Sequence, residues 1–339
     1  NNTLSITDGS PGTLTVTDTE NGSDIIFNGT VISQAVSFAA AGYDLVFNGS
    51  GNTFANAATF QNTGTLNLGN ASGDTFVFDA GLTESTTGTV TLAGSIDSTN
   101  DDITFGAITL ATATTLDTNA SDTTGDIIIG AVTGANNSLT LDTTTSTGSA
   151  DITFNGDINL GTGALTVTGD VVLGANVSVT ATPSSGIGIR FNDAINADSA
   201  SSNDRTLTLN AGTAATIFAL GSNVGASEAL AGLTITQSNG ATFSGSVDVS
   251  DSNSGTITLT DTTDGADITF SGAVTADTFT TAAQGYDIFL NGDATFANAV
   301  TFQNTGTLLL GDATSDTFTF NGGVTENTSG TVTIDGAIV

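Results

Sequence analysis

Residues 139 to 160 read LTLDTTTSTGSADITFNGDINL, and their alternation decides the fold. Leu139 and Leu141 flank Thr140, and Ile152 and Phe154 flank Thr153. Successive side chains of an extended strand point to opposite faces, so each apolar pair goes inward and each threonine outward. Ile158 and Leu160 make a third short strand. Asn155-Gly156 supplies a pair that tolerates positive φ where the chain turns a corner. Three strands and three corners close one coil, and the next coil stacks on it about 4.8 Å further along.

The same phrases recur along the chain. Thr-apolar-x-apolar has its first apolar residue at Leu14, Leu66, Val90, Leu116, Leu139, Leu165, Leu207, Leu233, Ile257, Leu308 and Val332, most steps being 23 to 26 residues. Asp-Ile-x-Phe or a relative starts at Asp24, Asp44, Asp102, Asp126, Asp151, Asp267 and Asp287. A period near 25 residues, made of short strands and Gly/Asn/Asp turns, predicts an all-β β-solenoid with three strands per coil, one continuous array over residues 1–339. Phe105 and Phe154 are expected to stack in one interior column. No apolar run has helical spacing except the short stretch Ala226 to Ala231, which reads better as a turn.

A longer repeat overlies the short one. TFANAATFQNTGTL at residues 53–66 and TFANAVTFQNTGTL at 295–308 differ at one position, and the match extends outward until residues 1–96 and 244–338 form two copies of one block. The offset is 243 residues at first and 242 after a one-residue deletion near Gly51. An array that starts repeating as it ends is expected to continue, and a chain opening at Asn1 without a signal segment reads as a processed product or an excerpt. Residues 180–205 break the rhythm: they hold Pro183, Arg190, Arg205 and the polar run Asn196 to Asp204, and read as an irregular insertion or loop.

Composition narrows the function classes. Arg190 and Arg205 are the only cations against 34 acidic residues, for a net charge of -32. Nucleic-acid binding needs a Lys/Arg surface to displace phosphate counterions, so it is excluded, as is binding to anionic membranes. No apolar run is long enough to insert in a membrane. Such a chain repels its own copies until salt or divalent cations screen it. With no cysteine, stability outside the cell must come from packing and backbone hydrogen bonds.

Chemistry is scarce. His, Lys and Cys are missing, Tyr43 and Tyr286 occupy one repeated position, and the acids recur coil after coil, so no catalytic, cofactor-binding or metal-binding residue is assigned and no enzyme is expected. The 30 aspartates are ligands of the kind Ca²⁺ prefers, but the glycine-rich nonapeptide of calcium-binding β-rolls and the EF-hand loop are both absent. Asp102, Asp126 and Asp151 are expected to cap corners by bonding local backbone N–H groups. If such acids stack, they raise one another's pKa and stability rises as pH falls. Outward Thr-x-Thr pairs such as Thr256 and Thr258 raise an ice-binding alternative, which uneven coil lengths argue against. Asn-x-Ser/Thr triplets at Asn21, Asn28, Asn48, Asn70, Asn119, Asn136 and Asn176 arise from composition.

The phrases at Gly64–Leu68 and Asp151–Gly156 resemble those of giant β-strand-repeat surface proteins of bacteria, similar to filamentous-haemagglutinin-like adhesins and autotransporter passengers. The resemblance implies a right-handed parallel β-helix, export to the cell surface, and a role in adhesion, biofilm matrix or filament formation. The expected function is therefore a structural extracellular segment that self-assembles or extends from the surface. Its partners would be copies of itself, head-to-tail or lateral, and a host or matrix surface. A passive stalk displaying a binding tip outside the chain, or a cation-, ice- or carbohydrate-binding solenoid, are the alternatives.

Overall fold

The computed structural model describes all residues except 1, 8–11, 18–19, 86–87, 100, 119–123, 144–149, 200–204, 220–222, 252–254 and 328–329. The chain forms two compact units, residues 1–163 and residues 164–339. Each is a parallel β-solenoid with no helix among the described residues, and together they hold about 13 turns of about 24 residues.

In the first unit three files of strands run in parallel register. One file contains Asp24–Phe27, Asp44–Phe47 and Leu66–Leu68 and continues through Val90, Ile108, Val132 and Ile158. A second contains Val31–Ser33, Asn52–Phe54 and Thr75–Phe78 and continues through Ile96, Leu116 and Leu141. A third contains Ala58–Phe60, Leu82–Glu84, Ile103–Phe105, Ile127–Ile129 and Asp151–Phe154. The strands Val90–Ser98 and Ile108–Asp117 each serve two files in succession, with a register shift between Leu92 and Gly94. Gly94 takes φ +82° there, a conformation glycine adopts without a Cβ clash.

The second unit repeats this plan. One file runs Leu165, Ile189, Ile217, Ala241, Ile268, Ile288, Leu308, Val332. Another runs Val177, Leu207, Leu233, Ile257, Phe279. The third includes Val247, Val274, Ala294, Phe318, Ile338.

The coil at 139–160 closes as its alternation requires: Leu139, Leu141, Ile152, Phe154, Ile158 and Leu160 are all 0% exposed. Each apolar face is covered by the turns on either side, so the core is a sum of neighbour contacts. Phe105 and Phe154 do share one register position, with Ile129 between them.

Three expectations need correction. The repeated phrases do not mark one position in the coil. Leu66 and Val90 lie in the first file while Leu116 lies in the second, and Asp24 and Asp44 open first-file strands while Asp102 and Asp126 precede, and Asp151 opens, third-file ones. All three files need the same inward spacing of two, so the phrase carries parity but not place. Asn155 and Gly156 turn their corner without a positive φ. Glycine is needed at 156 because a Cβ there would lie 2.7 Å from the backbone nitrogen of Ala131 in the preceding turn.

Within 180–205, Ile187–Phe191 and Ile195–Ala197 are strands rather than irregular chain. Ile189 and Phe191 are buried and pair with Leu165 and Val167 before them and Ile217 and Ala219 after. Arg190 stands where the turn before has the outward Thr166, and the register shifts between Ile187 and Ile189, which hid the alternation. Residues 200–204 of this span lie outside the described residues, and Ala226–Ala231 forms bends.

Candidate functional site

The acids that sequence reasoning assigned to local corners bond across turns instead. The Asp102 carboxylate accepts the backbone N–H of Asp126 at 2.9 Å, and the Asp126 carboxylate accepts that of Asp151 at 2.8 Å. Asp44 does the same for Thr65 at 2.6 Å, Asp170 for Ala194 at 3.0 Å and Asp293 for Thr317 at 2.7 Å. Asp193 and Asp277 reach backward, to the N–H of Gly169 and of Gly255, both at 2.8 Å. Side-chain amides also bond across turns: Asn176 accepts from the strand-opening Thr206 at 3.0 Å, and Asn136 accepts from Thr162, just past the strand Ile158–Gly161, at 3.1 Å.

The physical reason is geometric. Where a strand begins, its first N–H has left the parallel ladder, and a buried or half-buried N–H needs an acceptor. A short acid or amide at the equivalent corner one turn away reaches it. The spacing of donor and acceptor is therefore a coil period rather than the two or three residues of a local turn. Two of the glycosylation-type triplets, at Asn136 and Asn176, are thus occupied in holding turns together. Asn21 accepts from Gly42 at 3.2 Å and Asn48 donates to Asn28 at 3.0 Å. Asn119 lies outside the described residues.

Removing one stitch should be measurable. Asp126→Ala leaves the Asp151 N–H without its acceptor and is expected to cost about 1 kcal/mol, whereas Asp126→Asn keeps a carbonyl oxygen in place and should cost less than half of that. Urea titration of the three proteins checks the order; an alanine variant as stable as the parent would refute it.

Aspartates also stack directly. Asp97, Asp117 and Asp142 occupy one register position on successive turns. Burial raises the Asp97 pKa above its ordinary value, partly offset by the Ser95 hydroxyl, which donates to the carboxylate at 2.6 Å. The cause is burial, not the neighbouring acids invoked from the sequence. The folded state therefore holds this proton more tightly than the unfolded chain. The resulting stability is fully present below the ordinary aspartate range and is lost as pH rises through the raised value. Asp97→Asn is expected to melt higher than the parent at pH 7 and level with it at pH 3. An unchanged gap between the two pH values would remove this assignment.

The two arginines are used structurally. Arg205 forms a forked ion pair with Asp198, Nε to Oδ1 at 3.2 Å and Nη2 to Oδ2 at 2.6 Å. Arg190 places its guanidinium 5.7 Å from the ring centre of Phe218 in the next turn. The tyrosines are buried. Tyr43 donates to the Ala39 carbonyl at 3.0 Å, and Tyr286 donates to Leu259 and Ala282 carbonyls at 3.1 and 3.2 Å. Beside them, Asn62 and Asn304 are fully buried and donate to the carbonyls of Tyr43 and Tyr286, each at 3.3 Å. In both repeat copies the side-chain oxygen of this asparagine has no hydrogen-bond partner.

A shallow groove of about 240 Å³ beside Gly81 and Leu82 brings Asp101 and Asp102 together. Among the described residues no group of three or more acidic side chains is placed to hold a metal ion. No helix of the described residues is long and apolar enough to cross a membrane.

Threonines, by contrast, are in register: Thr208, Thr234, Thr258, Thr280, Thr301 and Thr325 form one outward file in the second unit. The sequence steps between them vary from 21 to 26 residues, so corner loops absorb uneven coil lengths without disturbing the strands. That corrects the expectation that uneven coils spoil a regular threonine face.

No family model matches the chain, and neither the curated proteins nor the solved structures compared with it yield a match.

Proposed function

We propose that the chain is a non-enzymatic structural segment of an extracellular, cell-surface fibre or adhesin. One observation carries this reading: the same side-chain-to-backbone stitch recurs in both units, so a recurring set of acids is spent on joining turns. Parallel ladders reinforced in this way suit a load-bearing solenoid, whose stability is the sum of many equivalent interfaces. The resemblance of the repeated phrases to bacterial β-strand-repeat adhesins supports the same role. Its partners would be other stretches of repeat sequence and a host or matrix surface.

A second reading, a passive stalk that carries a binding tip outside this chain, is favoured by the net charge of -32, which opposes association between copies. Electron microscopy of the purified chain across a series of NaCl and CaCl₂ concentrations separates the two. Elongated particles that join as salt rises support a fibre, and elongated particles that stay single support a stalk. Compact, non-elongated particles at every salt concentration would overturn both.

A further inference from the structure

Asparagine followed by glycine recurs at the corners, among other places at Asn21, Asn28, Asn48, Asn155, Asn239 and Asn291. Glycine carries no Cβ, so its backbone nitrogen is open to the side-chain carbonyl carbon of the residue before it, and asparagine amides are among the less durable groups of a folded chain. Closing a ring between the two asks for an amide free to swing, a glycine nitrogen not held in a hydrogen bond, and access for water.

The other pairs each lack something that Asn155 has. The Gly22 N–H donates to the Gly42 carbonyl at 2.7 Å, and the Asn21 side-chain oxygen accepts from the Gly42 N–H at 3.2 Å. Asn28 and Asn48 are tied to each other at 3.0 Å, and Gly49 is buried. Asn239 is exposed, but Gly240, whose nitrogen must attack, is buried. Asn291 is half-buried, and its side-chain oxygen is shut off from water. Asn155 is exposed and Gly156 half-buried, and neither the Asn155 amide nor the Gly156 N–H has a hydrogen-bond partner among the described residues.

We propose that Asn155 is a site of spontaneous modification, the corner at which the folded chain first loses an amide. The Gly156 nitrogen bonds to the Asn155 side-chain carbonyl carbon and gives up its proton. The bond from that carbon to the amide nitrogen breaks, and ammonia leaves with the proton. Water then opens the succinimide ring at either of its two carbonyls. One opening gives aspartate. The other gives isoaspartate, in which the backbone runs through the side chain and is one carbon longer.

The corner has no room for that extra carbon. The Asn155 N–H donates to the Ile129 carbonyl and the Val132 N–H to the Asp157 carbonyl, both at 2.8 Å, so the chain is tied to the preceding turn on each side of the pair. Between these ties a Cβ on Gly156 would lie 2.7 Å from the Ala131 backbone nitrogen. Isoaspartate at 155 therefore breaks a tie, whereas aspartate leaves the backbone path as it was. The modification acts on the first unit and is independent of the mechanical reading above.

The test stores the full chain at mildly alkaline pH, folded and, in parallel, unfolded in guanidinium chloride. Pepsin fragments are mapped by mass for the amide-to-acid increment, and an isoaspartyl methyltransferase marks the isoaspartate. In the folded chain Asn155 is expected to convert at least about tenfold faster than Asn28 or Asn48, whose amides must first part from one another. In guanidinium chloride the difference should vanish. Amide hydrogen exchange at Val132 should quicken at least about tenfold in the isoaspartate form and keep the parent's rate in Asn155→Asp. Equal conversion of the three asparagines in the folded chain, or a ranking that persists in guanidinium chloride, overturns the proposal. An isoaspartate form with the parent's exchange at Val132 overturns the claim that the corner cannot hold the longer backbone.

Discussion

Replacing Phe47 with alanine is expected to destabilise the first unit by about 3–5 kcal/mol, the range for deleting a fully buried aromatic ring that its surroundings cannot collapse upon. Phe47 is 0% exposed and sits at the centre of a ring cluster. It stacks on Phe27 at 4.9 Å and meets the edges or faces of Phe38, Phe54, Phe60 and Phe76 at 6.0 to 6.5 Å. These neighbours come from three successive turns, so the cavity would open in the interfaces that join them. Because each turn contacts only its neighbours, the loss should appear as an early transition of the N-terminal turns rather than a uniform shift. Urea unfolding followed by hydrogen exchange measures it. Val46→Ala, on the outward side of the same strand, is the control and should cost less than about 1 kcal/mol. A Phe47→Ala chain as stable as that control would mean that the ring column does not hold the turns together.

Tyr286→Phe tests a different kind of burial. The Tyr286 hydroxyl accepts the Ala282 N–H at 2.9 Å and donates to the Leu259 carbonyl one turn earlier at 3.1 Å. The Ala282 N–H also donates to the Leu259 carbonyl at 3.0 Å, so both groups keep a partner when the hydroxyl is removed, and the loss should cost about 0.5–1.5 kcal/mol at neutral pH. Burial also pushes the phenol pKa up from 10.0 to about 12, against a smaller opposing effect of the Ala282 hydrogen bond. The folded chain therefore keeps its proton where the unfolded chain has lost it. Stability from this group is fully present below pH 10 and is lost as pH rises through about 12. The parent should lose about 2–3 kcal/mol across that window from this group, and Tyr286→Phe should lose correspondingly less. Parallel slopes for the two proteins between pH 9 and pH 12 would show that Tyr286 does not titrate with unfolding.

The solenoid itself was legible because burial on one face forces an alternation that short strands cannot disguise. Leu139, Leu141, Ile152 and Phe154 all point inward as their spacing demands. Which of three files a strand joins was not legible. Leu66 and Leu116 sit in the same phrase but in different files, since register is settled by corner lengths and not by the strands. The strand Ile187–Phe191 escaped notice for a related reason: only Ile189 and Phe191 keep the inward spacing of two, Arg190 stands between them in place of an outward threonine, and the register shifts between Ile187 and Ile189. The role of the aspartates was half legible. Their recurrence at strand starts was plain, yet their partners lie 21 to 25 residues away, as with Asp44 and Thr65 or Asp126 and Asp151. Comparing the interval between an acid and the next strand start with the coil period would have found them.

That a neutral amide at Asn176 fills the same kind of place as a carboxylate at Asp44 or Asp126 has a consequence for how such chains diversify. Either oxygen satisfies the waiting donor, so exchanging Asp for Asn at these corners alters the surface potential while the backbone architecture stays as it is. Ionic character and shape can then drift independently, letting one scaffold be retuned for brine, for fresh water or for a new neighbour by single-atom changes.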